Sequence, residues 1–271
     1  TRPNAASAED GKVNDMTPNA APQAKQGEVL LDIRDLSKNF GPVQALKELS
    51  MVVRAGEVVA LAGDNGAGKT TVIKAISGVY PPSSGQILLR GEEMAFSSPQ
   101  DARNKGIETI YQDLSLADNL TIGGNIFLGR EPMRRLLGFL PTLDRKAMAD
   151  AAQETMARLD FHVSRLDAPV SNFSGGQRQA VAIGRALYWN AQILIMDEPT
   201  AALGVPEQRK VLSLVHQLKS QGKGVIFISH NLSDIFNVSD RIIVLRRGVE
   251  VGERRIADTT HDEVVKLMIG G

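Results

Sequence analysis

The sequence predicts an α/β fold with a mainly parallel sheet. Two observations predict it: apolar strand-like runs alternate with helical segments along much of the chain, and a glycine-rich loop at residues 63–70 joins a short apolar strand to a helix. The 271 residues, of which 42% are hydrophobic, are enough for one large domain with a subdomain. Ligands of such folds bind at the carboxyl ends of the strands.

Composition narrows the classes of function. Lys and Arg together number 31, as do Asp and Glu, so the bulk charge does not favour nucleic acid. Cysteine is absent, which excludes disulfides and cysteine-ligated zinc. No stretch approaches the ~20 apolar residues that span a bilayer, so we expect the chain to be soluble or bound to a membrane through a partner. Residues 1–27 are rich in Ala, Asn, Pro and charge and are predicted to be a disordered tail.

Strands dominate the first part of the predicted domain, which begins at residue 28. Residues 28–53 contain two strand-like runs with a turn at 40–42 between them. Residues 58–62 form an unbroken apolar run, typical of a strand buried on both faces. The next predicted elements are a helix, a turn and two strands, at residues 71–76, 81–85, 86–89 and 107–111.

Helical spacing is found in the middle of the chain and predicts a helical subdomain over about residues 113–190. Its three helical segments are at residues 122–128, 144–159 and 175–189. Asp144 suits an N-cap, and four apolar residues fall on one face of the second helix: Met148, Ala152, Met156 and Leu159.

Strand–helix alternation then resumes after the helical subdomain. Elements are predicted at residues 193–196, 206–220, 225–229, 232–237 and 242–245. No internal repeat is present, so we expect a single nucleotide-binding unit.

The loop at residues 63–70 reads Gly-Asp-Asn-Gly-Ala-Gly-Lys-Thr, a complete phosphate-binding pattern. Its glycines let backbone N–H groups point at phosphate oxygens, Lys69 can reach the terminal phosphates, and the Thr70 hydroxyl can ligate magnesium. The dipole of the following helix favours the same anion. An ordinary strand-to-helix turn is the alternative, which the flanking strand and helix disfavour. Kinases, GTPases, helicases and transport ATPases all use such a loop.

Polar residues follow three other predicted strands. Asp197 and Glu198 follow one of them, where Asp197 can hold magnesium through its water shell and Glu198 can orient or deprotonate the attacking water. A solvated acidic turn is the alternative. His230 follows another strand at the same sheet edge, although a histidine in an ordinary polar loop would look identical. Gln112 also follows a strand-like run, where glutamine commonly has no special role.

Ser174 and Gln177 fit a capping box at the start of a helix. Gly175 and Gly176 leave the first-turn N–H groups uncovered, so a second anion can approach there. If both anion sites serve one ATP and lie on opposite sides of the fold, the second must come from another molecule. Phe40, taken alone, is more often a core residue than a stacking surface.

Taken in order, these motifs resemble those of the ATP-binding subunits of ABC transporters over essentially residues 28–271. The resemblance implies a P-loop NTPase fold of the ABC ATPase type, with an N-terminal antiparallel β subdomain and an inserted α-helical subdomain. It implies ATP contacts from Phe40, Gly63, Asp64, Asn65, Gly66, Ala67, Gly68, Lys69, Thr70 and Thr71, and from Ser174, Gly175, Gly176 and Gln177 of a second molecule. It implies catalytic roles for Glu198, His230, Lys69 and Gln112, and Mg²⁺ ligation by Thr70, Gln112 and Asp197. Phe40 would stack on adenine.

The same resemblance implies partners. Two cassettes close head to tail around two ATP molecules, and because this chain carries one cassette we expect a homodimer, with a pair formed with another cassette as the alternative. Residues 63–65, 106–112, 125–131 and 198–204 are similar to importers of the ribose, xylose and fructose type, in the single-cassette fructose-like form. Such ATPases work with transmembrane permease subunits and a periplasmic or extracellular sugar-binding protein. That arrangement would place the chain at the cytoplasmic face of the cell membrane, with no nucleic-acid partner.

Two positions depart from the family pattern. Phe173 replaces the commoner Leu before the signature. Gly204 replaces the Asp that most cassettes place in the loop that contacts the partner. The loss of this carboxylate puts the detailed coupling between the two ATP sites in question.

Residues 130–140 combine Arg134 and Arg135 with apolar side chains. We expect a solvated, partly packed helix end there, with contact to a membrane surface or partner as the alternative.

Two other functions compete with a transport ATPase. A non-transport ABC protein acting on nucleic acid or ribosomes would normally carry a long coiled-coil insertion, a zinc site or basic stretches, which the sequence lacks. A P-loop kinase would leave two features unexplained, the Ser174–Gln177 pattern and the adjacent carboxylates at 197 and 198.

Overall fold

A computed structural model describes residues 24–136, 139–161, 165–201 and 203–270. The strands in these ranges are β1 (Val29–Phe40), β2 (Val43–Arg54), β3 (Val58–Ala62), β4 (Ser84–Leu89), β5 (Glu92–Glu93), β6 (Ile107–Ile110), β7 (Met133–Leu136), β8 (Leu140–Leu143), β9 (Ile193–Asp197), β10 (Gly224–Ile228), β11 (Arg241–Arg246) and β12 (Val249–Arg255). The α-helices are α1 (Lys69–Ile76), α2 (Pro99–Asn104), α3 (Ile122–Ile126), α4 (Arg145–Arg158), α5 (Gly175–Tyr188), α6 (Val205–Ser220), α7 (Leu232–Val238) and α8 (His261–Ile269). Short 3₁₀ helices lie at Val170–Asn172 and Ile256–Asp258.

The central sheet has six strands in the order β12-β11-β3-β10-β9-β6. Every neighbouring pair is parallel except β11 and β12, which are antiparallel. All residues of β3 and β10 are buried, because both faces of the sheet are covered. The α/β fold and the apolar strand at 58–62 are therefore confirmed.

Two hydrophobic cores lie on opposite faces of this sheet. Alternate side chains of a strand point to opposite faces, so Val58 and Ala60 join the core under α5 and α6, whereas Val59 and Leu61 join the core that contains α1. The second core also contains the inner side chains of an antiparallel sheet in the order β2-β1-β4-β5. This sheet is the N-terminal β subdomain that the resemblance implied.

Three helices, α3, α4 and α5, pack together in the middle of the chain. Asp144 caps α4, since its carboxylate accepts a hydrogen bond from Ala147 N at 3.0 Å. Of the predicted apolar face, Ala152, Met156 and Leu159 are buried and Met148 is half-buried. No helix in the described ranges is long and apolar enough to cross a membrane.

Met133–Leu136 and Leu140–Leu143 pair as two antiparallel strands, so the prediction of a helix end over residues 130–140 is wrong for the part of that range that the structure describes. Met133 pairs with Leu143 and Arg135 pairs with Pro141 across β7 and β8. Pro141 lacks an N–H group and its ring disfavours the helical backbone of the residues before it, which is compatible with a short edge strand and not with a helix. Residues 137 and 138 lie outside the described residues.

The predicted disordered tail lies mostly outside the described residues, which begin at 24. Its last four residues are described and make defined contacts. Gly27 N donates to Ala55 O at 3.0 Å, and Gln26 Nε2 donates to Gly56 O at 3.4 Å. Disorder is therefore wrong for residues 24–27, because the Gly27 backbone and the Gln26 side chain are hydrogen-bonded to the turn between β2 and β3.

Candidate functional site

A cleft of about 710 Å³ opens at the carboxyl ends of the parallel strands. Its walls are residues 65–71 of the glycine-rich loop and α1, residues 43–45 of β2, and four side chains that follow other strands. Those four are Gln112, Asp197, Glu198 and His230, and the lining is completed by Ala201 and Arg247. The structure thus brings together residues that are far apart in sequence and that the motifs assigned to nucleotide binding and hydrolysis.

Glycine is required at particular points of the loop. Gly63, Gly66 and Gly68 have φ angles of 149°, 81° and 110°, a region of backbone conformation that L side chains rarely adopt. A Cβ atom on Gly63 would also clash with the carbonyl oxygen of Leu245. The loop curls back on itself, with Ala67 N donating to Asp64 O at 3.0 Å, and α1 begins directly after it. This curl directs the start of α1 at the cleft, where its unpaired N–H groups favour an anion.

The Lys69 ammonium lies inside the loop. Its Nζ donates to Gly63 O at 2.5 Å and to Asp64 O at 3.1 Å. Burial lowers the pKa of Lys69, while the charges of Glu198 and Asp197, together with Asp64, oppose that shift. Gly63 and Asp64 do not line the cleft; they hold this lysine. The two carbonyl contacts can be exchanged for phosphate oxygens without leaving the ammonium unpaired.

Asp197 is the last residue of β9, and Glu198 leaves the strand with a left-handed φ of 51°. Glu198 N donates to Ile228 O at 2.9 Å, which ties this turn to the neighbouring strand β10. The left-handed turn sends the two adjacent carboxylates in different directions. Burial raises the pKa of Asp197, the charge of Glu198 raises it further, and Lys69 opposes the shift.

Glu198 and His230 are in contact. The Oε2 atom of Glu198 lies 2.8 Å from Nδ1 of His230, with the Glu198 side chain 15% exposed and the His230 side chain 75% exposed. The imidazole therefore projects into the open side of the cleft while the carboxylate is held below it. This pair can position a water molecule and a terminal phosphate side by side.

A buried hydrogen bond behind this pair was not identified from the sequence. Thr200 Oγ1 donates to Asp234 Oδ2 at 2.7 Å, and both residues are buried. The bond joins the loop after β9, which carries Glu198, to α7, which follows His230. The sequence feature that could have indicated this bond is Thr200, a threonine two residues after the paired carboxylates.

Ser174 and Gln177 form the predicted capping box. Ser174 N donates to Gln177 Oε1 at 2.8 Å, and Gln177 N donates to Ser174 Oγ at 3.4 Å. Gly175 and Gly176 lie against the start of α6, where a Cβ on Gly176 would be 3.1 Å from Cγ of Glu207. None of these four residues lines the cleft. The structure therefore does not bring the second predicted anion site to the first within one molecule.

Phe40 is 47% exposed and does not line the cleft. Its ring packs edge-on against Tyr80 with a centroid distance of 5.2 Å, and Lys38 Nζ lies 4.8 Å from the Tyr80 centroid. Residues 43–45, just beyond the turn that follows Phe40, do form one wall. Stacking of Phe40 on adenine remains a prediction.

Oxygen donors suited to Mg²⁺ lie around the cleft. Thr70, Gln112 and Asp197 supply a hydroxyl, an amide and a carboxylate oxygen, which are ligand types that Mg²⁺ prefers. The described ranges contain no group of three or more His, Cys, Asp or Glu residues able to hold a metal ion. These donors therefore fit a Mg²⁺ ion that completes its coordination with phosphate oxygens and water.

Comparisons with known proteins agree on the family to which the chain is similar. The ABC transporter family model matches residues 46–201. The xylose/arabinose import ATP-binding protein XylG of Sulfolobus acidocaldarius is 47% identical over 239 residues, which cover 88% of this chain and 93% of that protein. The fructose import ATP-binding protein FrcA of Rhizobium meliloti is 42% identical, with 90% and 95% covered.

The ribose import ATP-binding protein RbsA 1 of Streptomyces coelicolor is 44% identical over 89% of this chain, which spans only 47% of that relative. Among solved structures, the ADP conformation of MJ1267, an ATP-binding cassette of an ABC transporter, is 26% identical, with a TM-score of 0.76 over 90% of this chain and 99% of that one. These similarities confirm the resemblance that the motifs indicated.

Proposed function

The chain belongs to the ABC transporter family of ATP-binding cassettes, and on that premise we propose that it binds and hydrolyses ATP to drive import of a sugar. One observation carries the proposal: Lys69, Asp197, Glu198 and His230 lie around one cleft beside a phosphate-binding loop. Relatives named as xylose/arabinose, fructose and ribose import proteins support a sugar as the cargo.

Each cleft residue has a part in hydrolysis. The N–H groups of the loop and the Lys69 ammonium hold the β- and γ-phosphates and neutralise their charge. Glu198 would orient the attacking water and accept its proton, and His230, whose ring contacts Glu198, would face the γ-phosphate. Gln112 lines the same cleft and would contact the attacking water or the metal. Catalysis is thus mainly positioning and charge stabilisation.

Magnesium would be held by Thr70 and Gln112 directly and by Asp197 through water. When bound, it screens the phosphate charges and draws electron density from the bond that breaks. Asp197 is suited to metal binding because its ionised carboxylate is partly buried beside Glu198, which costs free energy. A cation bound there would offset that cost.

A homodimer completes the site in this proposal. The start of α5, with Ser174 and its two glycines, covers the open side of the cleft of a second molecule. The exposed position of His230 and the location of Ser174 outside the lining of the cleft support this arrangement. ATP binding would close the dimer and hydrolysis would open it.

The partners follow from the import role. Permease subunits that span the membrane would receive the motion of the dimer, and a periplasmic or extracellular binding protein would deliver the sugar. The chain would then work at the cytoplasmic face of the membrane. A non-transport role on nucleic acid or ribosomes is not favoured, because the relatives above are named as import proteins and the chain has no excess of basic residues.

Nucleotide binding by the Lys69→Ala variant tests the site. We expect the affinity for ATP to fall at least ~100-fold, because the variant loses the half-buried cation that would face the phosphates. Lys146→Ala is the matched control, since Lys146 is exposed on α4 and pairs only with Asp150. Unchanged ATP affinity in Lys69→Ala would contradict the assignment.

Uptake of radiolabelled sugars tests the import role. In the source organism, deletion of the gene should abolish uptake of at least one pentose or hexose. The wild-type gene and the Lys146→Ala variant should restore it, and the Lys69→Ala variant should not. Normal uptake of every sugar after deletion would exclude the import role but leave the ATPase assignment standing.

A further inference from the structure

The two-residue turn between β11 and β12 is fixed against the nucleotide cleft. Gly248 N donates to Ala67 O of the phosphate loop at 2.9 Å, and Lys47 N of β2 donates to Gly248 O at 2.7 Å. A Cβ atom on Gly248 would be only 2.7 Å from Ala45 O, so the turn packs tightly on β2 as well. The turn is therefore held between the phosphate loop and the wall formed by residues 43–45.

Arg247 occupies the first position of this turn in an unfavourable conformation. Its φ is 50° and that of Gly248 is 80°, the pattern of a type I′ hairpin turn. Asn, Asp or Gly is preferred at the first position, because a long side chain gains nothing from a left-handed backbone. The choice of arginine therefore has no explanation within the turn itself.

The Arg247 side chain is exposed and lines the cleft. Among the hydrogen bonds and ion pairs of the described residues, none involves this side chain. The preceding arginine differs: Arg246 is half-buried and lies against the C-terminal end of α8, where a Cβ on Gly270 would clash with its guanidinium. Of these two neighbouring arginines, Arg247 alone faces the cleft.

We propose that Arg247 binds the nucleotide through its α-phosphate. The inference rests on the proposed ATP site. The charges of Asp197 and Glu198 act on Lys69, so these three residues would face the terminal phosphates and the metal. Arg247 lines the same cleft from the turn whose Gly248 packs against Ala45 and bonds to Lys47, so it lies beside the wall formed by residues 43–45. A guanidinium held there without an internal partner matches a phosphate oxygen, and it places the cation near the nucleoside end of the phosphate chain.

Titration calorimetry with ADP, AMP and adenosine tests this assignment in the full chain. The variant Arg247→Asn removes the cation and places a residue favoured in type I′ turns, so the fold is preserved. We expect its affinity for ADP and for AMP to fall by about tenfold, the effect of one charge-assisted hydrogen bond at a partly exposed site, with adenosine affinity unchanged. Arg247→Lys should recover part of the loss, and Arg246→Asn should bind as the wild type.

Three results would overturn the inference. They are wild-type affinity of Arg247→Asn for ADP and AMP, an equal loss for adenosine, and a loss for ADP without any loss for AMP. The last two would move the contact to the nucleoside or to the β-phosphate. Failure of the wild-type chain to bind ADP at all would instead refute the proposed ATP site, so the two failures are distinguishable.

Discussion

At the scale of single residues, the backbone at Glu198 explains how two adjacent carboxylates take different roles. Its left-handed φ of 51° is uncommon for a residue that is not glycine, and it directs the side chain to His230 while Asp197 stays in line with β9. Strain of this kind is retained when the surrounding structure enforces it. Here the Glu198 N to Ile228 O hydrogen bond does so.

Glu198→Gln should separate binding from turnover. The amide keeps the size of the side chain but cannot accept the proton of the attacking water, so the ATPase rate should fall by about 10²- to 10⁴-fold with ATP affinity retained. Size-exclusion chromatography with ATP should then show a stable dimer of twice the 29.2 kDa chain mass. Glu154→Gln, on the exposed face of α4, is the control, and normal hydrolysis by Glu198→Gln would refute the role.

Asp197→Asn should stabilise the nucleotide-free protein while it weakens metal binding. Burial raises the folded-state pKa of Asp197, so ionisation of this carboxylate opposes folding at pH values above that pKa. Thermal denaturation at pH 7 should show a midpoint about 1–3 °C higher in the variant. The difference should shrink as the pH falls through the raised pKa, because the wild-type carboxyl is then neutral in the folded protein. A lower midpoint at pH 7 would contradict this account.

The chemistry of the site was predictable because each reactive residue follows a strand that is apolar in sequence. Lys69 and His230 follow β3 and β10, Asp197 ends β9, and parallel strands bring their carboxyl ends to one edge. Direct contacts between side chains were not predictable. The Thr200–Asp234 bond depends on the placement of α7, which no local pattern specifies.

At the scale of elements, buried strands and long helices were predicted to within one or two residues. The short elements β5 and α2 were missed, as were β12 and α8. The Val249–Arg255 strand is only partly buried and mostly polar, so the sequence shows no sustained apolar alternation there, and pairing with β11 determines the strand. A signal for α8 was present: Thr260 caps the helix by accepting from Glu263 N at 3.3 Å, a Ser/Thr-x-x-Glu pattern.

Close packing of α3 on α4 depends on Gly123. A Cβ atom there would be 2.7 Å from Met148 O, a backbone atom that cannot move without shifting α4. Gly123→Ala should therefore lower the free energy of unfolding by about 1–3 kcal/mol despite the higher helix propensity of alanine. Gly124→Ala is the control, because its nearest contact is the Leu120 side chain at 3.1 Å. Urea denaturation measures both, and equal stability of the two variants would refute the packing argument.

At the scale of the whole molecule, one surface joins the start of α5 to the loop before α6. Gly175 approaches Leu203 so closely that a Cβ would be 2.6 Å from Cδ2, and the next apolar residue, Val205, is 60% exposed. The capping box at Ser174 lies on this surface, away from the cleft of its own chain. An exposed apolar side chain beside uncovered N–H groups suits contact with a second cassette.

Mixing two inactive variants tests whether the site is shared between molecules. Lys69→Ala disables the phosphate loop, and Ser174→Arg blocks the start of α5, so each homodimer should be inactive. A mixed dimer contains one composite site in which both halves are intact, because the loop of one chain meets the α5 start of the other. Random mixing should therefore restore about a quarter of the wild-type ATPase sites. If the mixture stays inactive while crosslinking shows that mixed dimers form, the two halves do not act in trans.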